Sequence, residues 1–265
     1  MQVTGLTLEG EKVDARAAAR GTTYLCPECA TGLRVRKGLY RRPHFYHIAQ
    51  TRPCQLGGKT EQHIQTQLFL QKRLQGAELE VIFPVIGRIA DLVWEKEKLI
   101  FEVQCSPISA EEVLQRNSDY GSVGYQVVWI FHEKKFNQRR LSEAEIAILR
   151  SPHYFTDMDS RGVGGIYDQP AEVRQGVRLK RLAQLEVDPA RVYRTVSPQA
   201  PLLFVERARW PVFFEGDYLS RMQKGEKLGW KRVDPPRKRG LFRRCFLDPY
   251  SIVLDYFLEK ACNKF

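Results

Sequence analysis

Two carboxylates and an amide lie in segment 88–109, at the positions that a metal-dependent nuclease would need. The apolar runs IADLVW and LIFEVQ flank the polar residues 95–98, a pattern that predicts a β-hairpin. If the loop is centred at the middle of this polar stretch, Asp91 faces Glu102 across the strand pair. Because side chains alternate along a strand, Gln104 shares that face. The opposite face is then unbroken and apolar, formed by Ala90, Leu92, Trp94, Leu99, Phe101 and Val103.

Two like charges that face each other on an apolar hairpin need compensation. The repulsion between them is strongest in dry surroundings. A divalent cation compensates most simply, because Mg²⁺ and Mn²⁺ prefer carboxylate oxygens as ligands. The alternative is that Asp91 pairs with Arg88 or another basic residue while Glu102 sits at a strand edge. The metal interpretation requires a loop with an even number of residues, since an odd number would move one carboxylate off the face.

Cysteines and histidines form a second constellation with metal-ligand spacing. A CxxC motif, Cys26 and Cys29, is followed after fourteen residues by an HxxH motif, His44 and His47. The cysteine knuckle aims both sulfurs at one ion, and zinc is the expected metal. The histidines are closer together than in common zinc sites, so the fourth ligand stays open and Cys54 could replace one of them. A redox CxxC is the alternative, but it normally accompanies a βαβ pattern that is absent here.

The composition predicts a soluble protein with a polyanionic partner. A formal charge of +11 and a pI near 9.4 favour nucleic acid as that partner, and the alternative is a basic surface that only confers solubility. No secretory signal opens the chain, and no apolar run approaches the ~18 residues that would span a bilayer. We therefore expect a cytoplasmic protein whose cysteines are thiols or metal ligands rather than disulfides.

Helix and strand patterns divide the chain into three regions. Residues 1–57 carry the Cys/His constellation, 58–150 read as an α/β core on a mixed sheet, and 151–265 form a basic region whose fold is not predicted. The core pattern consists of a helix capped by Thr60, a strand at about 79–85, the hairpin, a helix opened by Ser109 and Glu112, the buried strand YQVVWIFH, and a helix opened by Ser142 and Glu145.

Basic residues cluster in two places that suit nucleic-acid binding. Segment 221–244 holds ten Lys or Arg against two acids, with Trp230 and Phe242 interleaved. Such a mixture suits phosphate neutralisation together with base stacking, and a solvated basic face is the alternative. The candidate contacts in the two clusters are Arg41 and Arg42 near the Cys/His constellation and Lys231, Arg232, Arg237, Lys238 and Arg239 in the C-terminal region.

Taken in order, these motifs resemble the competence protein CoiA family. The resemblance covers about residues 20 to 135 and rests on CPEC, RPHFYH, a Glu-x-His helix, FEVQCSPIS, the helix through Arg116 to Tyr120, and VVWIF. It implies a restriction-endonuclease-like PD-(D/E)xK mixed-sheet core, with a small N-terminal zinc-binding module and a basic C-terminal region.

The resemblance also implies roles for individual residues. Asp91 and Glu102 would bind the catalytic Mg²⁺ or Mn²⁺, and Glu61 would add an acid from a helix. Gln104 stands where the motif has lysine; an amide cannot act as a base or carry a charge, although it can orient water or a phosphate oxygen. His63 would support the site or contact phosphate, or else lie exposed on its helix. Tyr120 would hydrogen-bond DNA or pack under its helix.

Two functions remain in contention from the sequence. The first is a metal-dependent DNA nuclease that acts on single-stranded or branched DNA in competence, natural transformation and recombination. The second is a catalytically inactive DNA-binding accessory protein that recruits recombination proteins. The acidic residues favour the enzyme, and Gln104 favours the accessory protein. A purely structural interaction protein fits the acidic cluster and the charge less well.

Overall fold

The computed structural model describes residues 1–38, 42–49, 54–149, 151–192 and 212–217. The strands and α-helices in these ranges are, in chain order, β1 (Thr4–Leu6), β2 (Lys12–Asp14), β3 (Tyr24–Leu25), β4 (Gly32–Arg36), β5 (His44–His47), α1 (Glu61–Arg73), β6 (Glu78–Phe83), β7 (Arg88–Trp94), β8 (Leu99–Gln104), α2 (Ala110–Ser122), β9 (Gln126–His132), α3 (Glu143–Ala147), β10 (His153–Thr156), β11 (Ile166–Asp168), β12 (Ala171–Arg174), β13 (Val177–Arg181), β14 (Leu185–Glu186) and β15 (Val212–Glu215).

A seven-stranded mixed sheet forms the centre of the molecule, in the order β14-β11-β10-β9-β8-β7-β6. Strands β8, β9 and β10 run parallel to one another, and the other pairs are antiparallel. The predicted mixed α/β architecture is therefore confirmed. Strands β10, β11 and β14 follow residue 150, so the central sheet extends beyond the point where we expected the core to end.

The helices cover both faces of this sheet. Helix α1 packs Ile64, Leu70 and Leu74 on one face, and α2 and α3 pack on the other. Strand β9 lies between the two layers and is buried on both sides, which explains its continuous apolar run. In the described part of the chain, no helix combines the length and the apolar character needed to cross a membrane.

Side-chain caps begin the helices where the sequence predicted them. The Thr60 hydroxyl accepts a hydrogen bond from the His63 amide at the start of α1. At α3, Ser142 and Glu145 form the complete reciprocal capping box. At α2, the Ser109 hydroxyl accepts from the Glu112 amide, but the Glu112 carboxylate binds arginines instead of returning to the cap.

The β7–β8 hairpin has the predicted even loop. A four-residue connection, 95–98, brings Leu92 opposite Phe101 and Trp94 opposite Leu99. Leu92 and Phe101 pack under α1, with Trp94 partly buried beside them. From the loop back to Leu92, the register and the apolar face are those expected from the alternation of side chains.

Between Leu92 and Ala90 the alternation of side chains breaks, and this break changes the direction in which Asp91 projects. Leu79 and Leu92 pack under α1, yet Val81 and Ala90, two residues along each strand, pack toward α2. Both neighbouring strands thus change phase at Glu80 and Asp91, and Glu80 has a left-handed backbone with φ of +51°. The prediction that Ala90 shares one unbroken apolar face with Leu92 and Phe101 is wrong for this reason.

An antiparallel five-stranded sheet, β2-β1-β3-β4-β5, forms the N-terminal module. It contacts the central sheet through β6. The backbone amides of Val3 and Thr4 and the Thr4 hydroxyl all donate to the Glu80 carboxylate. Lys12 Nζ donates to the Leu79 carbonyl at 2.6 Å. A third sheet, β13-β12-β15, packs Ala171 and Val173 against Leu141 and Leu149.

Candidate active site and metal centre

An open cavity of about 310 Å³ lies where β7 and β8 diverge, at the junction of the N-terminal module and the core. Its walls come from the segment before α1, the first turn of α1, β7, the end of β8, and α2. The charged and hydrogen-bonding side chains that line it include Lys59, His63, Asp91, Gln104, Glu112 and Arg116.

Asp91 accepts four hydrogen bonds at the wall of this cavity. Its Oδ1 lies 2.8 Å from Lys59 Nζ, 3.0 Å from His63 Nε2 and 2.9 Å from Gln67 Nε2. Its Oδ2 accepts from the backbone amide of Val103 at 2.9 Å, beyond Leu92 and Phe101, where the β7–β8 pairing ends. Burial opposes ionisation of Asp91, but the charges and hydrogen bonds of His63 and Lys59 outweigh it and hold the pKa well below its usual range.

Helix periodicity explains two of these partners. His63 and Gln67 are four residues apart, so both project from the same side of α1 toward β7. Gln67 was not singled out from the sequence, although its spacing from His63 carries the signal. His63 lines the cavity and contacts Asp91, so it is not an exposed helix residue.

Lys59 is a site residue that the sequence did not reveal. Its ammonium bridges Asp91 and Glu80, and only 9% of its side chain is exposed. Burial lowers the pKa of Lys59, but the two carboxylates outweigh this and raise it above its ordinary value. No motif marks Lys59, because its role depends on the pairing of β6 with β7 and on the phase change at Glu80.

Glu102 lies behind the cavity rather than in it. Its carboxylate accepts from Arg116 Nη1 at 2.7 Å and from the Tyr120 hydroxyl at 2.9 Å, both on α2. Burial, and then the charge of Asp91, raise the pKa of Glu102 to about 7 against the opposing effect of Arg116. The expectation that Asp91 and Glu102 share one face is wrong: the phase change turns Asp91 toward α1, while regular alternation directs Glu102 toward α2.

Tyr120 is fully buried and donates to Glu102, so it packs under its helix. The predicted DNA contact at Tyr120 is not met in this arrangement. Arg116, four residues earlier on the same helix face, does line the cavity. Glu102 therefore holds the Arg116 guanidinium in place at the cavity wall and does not line the cavity itself.

The remaining charges around α2 form a network. Glu112 pairs with Arg116 and Arg88, each at 2.8 Å, and Arg88 also pairs with Asp119 at 2.7 Å. Arg88 is thus engaged by α2, and the basic partner of Asp91 is Lys59.

Glu61 lies outside the cavity, whereas Gln104 lies at its wall. Glu61 lines a separate, small pocket together with Arg42 and His44, so the structure does not bring it to the cavity of Asp91. It lies at the first position of α1, two residues before His63, and therefore on another side of the helix. Gln104 does line the cavity, and its amide donates to the Ser106 carbonyl at 2.6 Å.

Four side chains of the N-terminal module converge into a metal-ligand set. The ligand atoms of Cys26, Cys29, His47 and Cys54 all lie within 4.8 Å of one another. Cys26 Sγ is 3.6 Å from Cys54 Sγ, and Cys29 Sγ is 3.2 Å from His47 Nε2. Tetrahedral zinc with Zn–S bonds of about 2.3 Å separates its sulfur ligands by roughly 3.8 Å, and three cysteines with one histidine are a common structural zinc set. This cluster could hold a metal such as zinc. Within the ranges described, no three acidic side chains converge in a comparable way.

His44 is not part of this set. His44 and His47 are three residues apart on β5, so their side chains lie on opposite faces of the strand. His44 is buried, and its Nδ1 lies 2.9 Å from the Arg42 carbonyl. Cys54 takes the fourth position, as the open spacing allowed.

Hydrogen bonds within the module favour a thiolate at Cys29. Burial raises its pKa, but bonds from Thr31, Cys26 and His47 outweigh burial and lower the pKa to about 6. Glu28, inside the CxxC loop, accepts from the Cys54 thiol at 2.9 Å and from the amides of residues 55 and 56. The knuckle therefore also holds the chain that leads to Lys59.

The basic residues predicted to bind nucleic acid are only partly described. Arg42 is exposed on the N-terminal module. The others, Arg41, Lys231, Arg232, Arg237, Lys238 and Arg239, lie outside the described residues.

Family comparison covers both structural modules. Residues 59–186 match the family model described as competence protein CoiA, nuclease-like domain. Residues 8–57 match the one described as competence protein CoiA, N-terminal domain. No curated protein and no solved structure is found to match the chain. With two adjacent matches that together span residues 8–186, broken only at residue 58, the chain belongs to the competence protein CoiA family.

Proposed function

We propose that this protein is a metal-dependent DNA nuclease of the restriction-endonuclease-like, PD-(D/E)xK type. Its substrate would be single-stranded or branched DNA in natural transformation and recombination. The observation that carries the proposal is a charged carboxylate, Asp91, in an open cavity beside Lys59, His63 and Arg116. The nuclease-like family domain and the net charge of +11 support it.

The cavity offers cations to a phosphodiester. Lys59 and Arg116 carry permanent positive charge at its wall, and each is held by a buried carboxylate, Asp91 or Glu102. Fixed cations that do not need to reorganise stabilise the charge that develops on a phosphate under attack. His63 contacts Asp91 through its Nε2, which orients the ring at the cavity wall.

The cavity offers few protein ligands, which is sufficient for Mg²⁺ or Mn²⁺. These ions are commonly held by one or two carboxylates together with water and substrate phosphate, rather than by a full protein cage. Asp91 would be the protein ligand, and the Gln104 amide would orient water or a phosphate oxygen, because both residues line the cavity. A bound cation would supply an activated water and neutralise charge on the phosphate. Glu61 and Glu102 do not line the cavity, so we assign neither as a ligand.

In the N-terminal module we assign zinc to Cys26, Cys29, His47 and Cys54 as a structural metal. The cluster is closed by protein ligands and lies among buried residues such as Leu33, Phe45 and Leu56, as structural sites are. Zinc there would fix the CxxC loop and, through Glu28, the segment that enters the cavity.

A second function, a DNA-binding accessory protein without catalysis that recruits recombination partners, is favoured by one specific observation. Both oxygens of Asp91 are engaged by protein donors, and Glu102 is buried by α2. Oδ1 accepts three of these hydrogen bonds, so a cation could bind Oδ1 only if Lys59, His63 or Gln67 gave up its contact. Both functions require the protein to bind DNA, but only the nuclease cleaves it.

The decisive experiment measures cleavage of single-stranded, duplex and branched DNA with Mg²⁺, Mn²⁺ or EDTA. The variant is Asp91→Asn, which keeps the shape of the side chain and removes its charge. The matched control is Glu61→Gln, since Glu61 lies in a separate pocket.

We expect EDTA to abolish cleavage, Asp91→Asn to reduce it by about 10² or more, and Glu61→Gln to leave it unchanged. Cleavage that persists at the wild-type rate in Asp91→Asn would refute the assignment of the cavity as active site. DNA binding without cleavage of any substrate would favour the accessory protein.

A further inference from the structure

Lys59 stands close to the place where the motif lysine would act. Gln104 cannot carry positive charge, yet Lys59 Nζ lies 2.8 Å from Asp91 and lines the same cavity as Gln104. The positive charge that the strand lacks is therefore present in the cavity, from a different segment of the chain.

Neither carboxylate beside Lys59 depends on it for hydrogen bonding. Asp91 also accepts from His63, Gln67 and the Val103 amide. Glu80 also accepts from the amides of Val3 and Thr4 and from the Thr4 hydroxyl. Other donors therefore share the hydrogen bonding of both acids, and the Lys59 ammonium lies beside Asp91 at the wall of the cavity, where a ligand would bind.

The N-terminal module fixes the position of Lys59. Leu56 is 1% exposed in the module's core, and the amides of residues 55 and 56 are held by Glu28. On the other side, Thr60 caps α1. Between these anchors, Gly58 adopts a left-handed φ of +83°, a conformation that favours glycine. The lysine is thus held at both ends and directed into the cavity.

The geometry points to Lys59 as a catalytic residue that contacts the scissile phosphate and takes the place of the lysine missing from β8. This inference rests on the proposed nuclease function. If so, both modules contribute to the active site. The segment that joins them begins at Cys54, in the Cys/His cluster, and ends at Lys59, which would contact the phosphate.

The test uses the full-length protein and Lys59→Met, which keeps the length of the side chain and removes the charge. The matched control is Lys12→Met, because Lys12 also contacts β6 but does not line the cavity. Lys59→Met with Glu80→Gln removes one charge of each sign and serves if the single variant is poorly folded, as judged by circular dichroism. Lys59→Met with Gln104→Lys returns a lysine to the strand.

Two quantities are measured: the single-turnover cleavage rate at saturating DNA, and the salt dependence of binding to single-stranded DNA. We expect Lys59→Met to reduce the rate by about 10² to 10³. It should also lower the slope of log K against log salt by about 0.7, the value for one phosphate contact on a single strand. Lys12→Met should change neither quantity. Adding Gln104→Lys to Lys59→Met should raise the cleavage rate at least about tenfold above that of Lys59→Met alone.

The outcomes separate the two proposals. If the wild type cleaves nothing, the proposed function fails, and the salt slope alone decides whether Lys59 contacts phosphate. If the wild type cleaves and Lys59→Met cleaves within about threefold of it, the assignment of Lys59 is overturned while the nuclease stands. An unchanged slope in Lys59→Met, or no DNA binding by the wild type, also overturns the assignment.

Discussion

Asp168 should make the stability of this protein decrease as pH rises toward neutrality. It is fully buried, and its Oδ2 accepts from the backbone amide of Asp217 at 2.7 Å. Burial, and then the charge of Asp217, raise the pKa of Asp168 from the ordinary 3.8 to about 7. Between these values the folded protein binds a proton that the unfolded chain does not.

The sign follows from proton linkage. A carboxyl whose pKa is raised on folding stabilises the folded state at low pH, and this contribution is lost as pH rises through the folded pKa. The free energy of unfolding should fall by up to about 1.4 kcal/mol per pH unit inside this window, and by at most about 4 kcal/mol across it. Asp168→Asn removes the titration and keeps the shape.

The assay is urea denaturation of the wild type and Asp168→Asn at pH 5, 6, 7 and 8. Other groups titrate over the same range, Glu102 and His153 with raised pKa values and Cys29 with a lowered one, so only the difference between the two proteins reports Asp168. We expect the free energy of unfolding of the variant, relative to that of the wild type, to increase steadily from pH 5 to pH 7. A difference that stays constant over this range would refute the reasoning.

Two further predictions follow from local geometry. His47→Ala should lower the metal content of the purified protein, while His44→Ala should leave it unchanged; metal analysis by mass spectrometry decides this, and equal losses would contradict the proposed ligand set. Gly216→Ala should destabilise by about 2–4 kcal/mol in thermal unfolding, because a Cβ would lie 2.6 Å from Asp168 Oδ1 at a φ of +91°. Gly10→Ala, at φ +88° in open space, should cost only about 1–2 kcal/mol, and equal costs would exclude the contact with Asp168 as the cause.

Features encoded in neighbouring residues could be predicted from the sequence. Thr60 and Ser142 begin helices because their hydroxyls accept amides three residues on, within the same short segment. The even loop at 95–98 sets the hairpin register by the same local logic. The continuous apolar run of β9 indicated burial on both faces, and Trp129 and Ile130 indeed lie in opposite cores.

The phase change at Glu80 and Asp91 could not be predicted in this way. It depends on partners distant in the chain: Thr4 binds Glu80 across 76 residues, and Lys59 binds Asp91 across 32. An alternation rule assumes a regular strand, so it placed Asp91 with Glu102. Tertiary contacts instead gave the two carboxylates different partners: Asp91 binds His63 and Gln67 on α1, and Glu102 binds Arg116 and Tyr120 on α2.

The histidine pair shows a signal that was present but not used. The histidine spacing of RPHFYH predicts a pair of ligands, although HFYH also forms a short strand. On a strand, two residues separated by three positions lie on opposite faces, so one ion cannot receive both side chains from the same face. The strand pattern would have excluded one histidine and left Cys54 to complete the set.

The boundary between the two modules runs through the site itself. The N-terminal family match ends at residue 57, and the nuclease-like match begins at residue 59. Yet the cavity is lined by Gln55 and Gly57 on one side of this boundary and by Lys59 and Asp91 on the other. Because Glu28 holds the amides on the first side, the position of Lys59 depends on the fold of the N-terminal module. The cluster of Cys26, Cys29, His47 and Cys54 is therefore linked structurally to the cavity, and a core separated at residue 58 would lose part of the cavity wall.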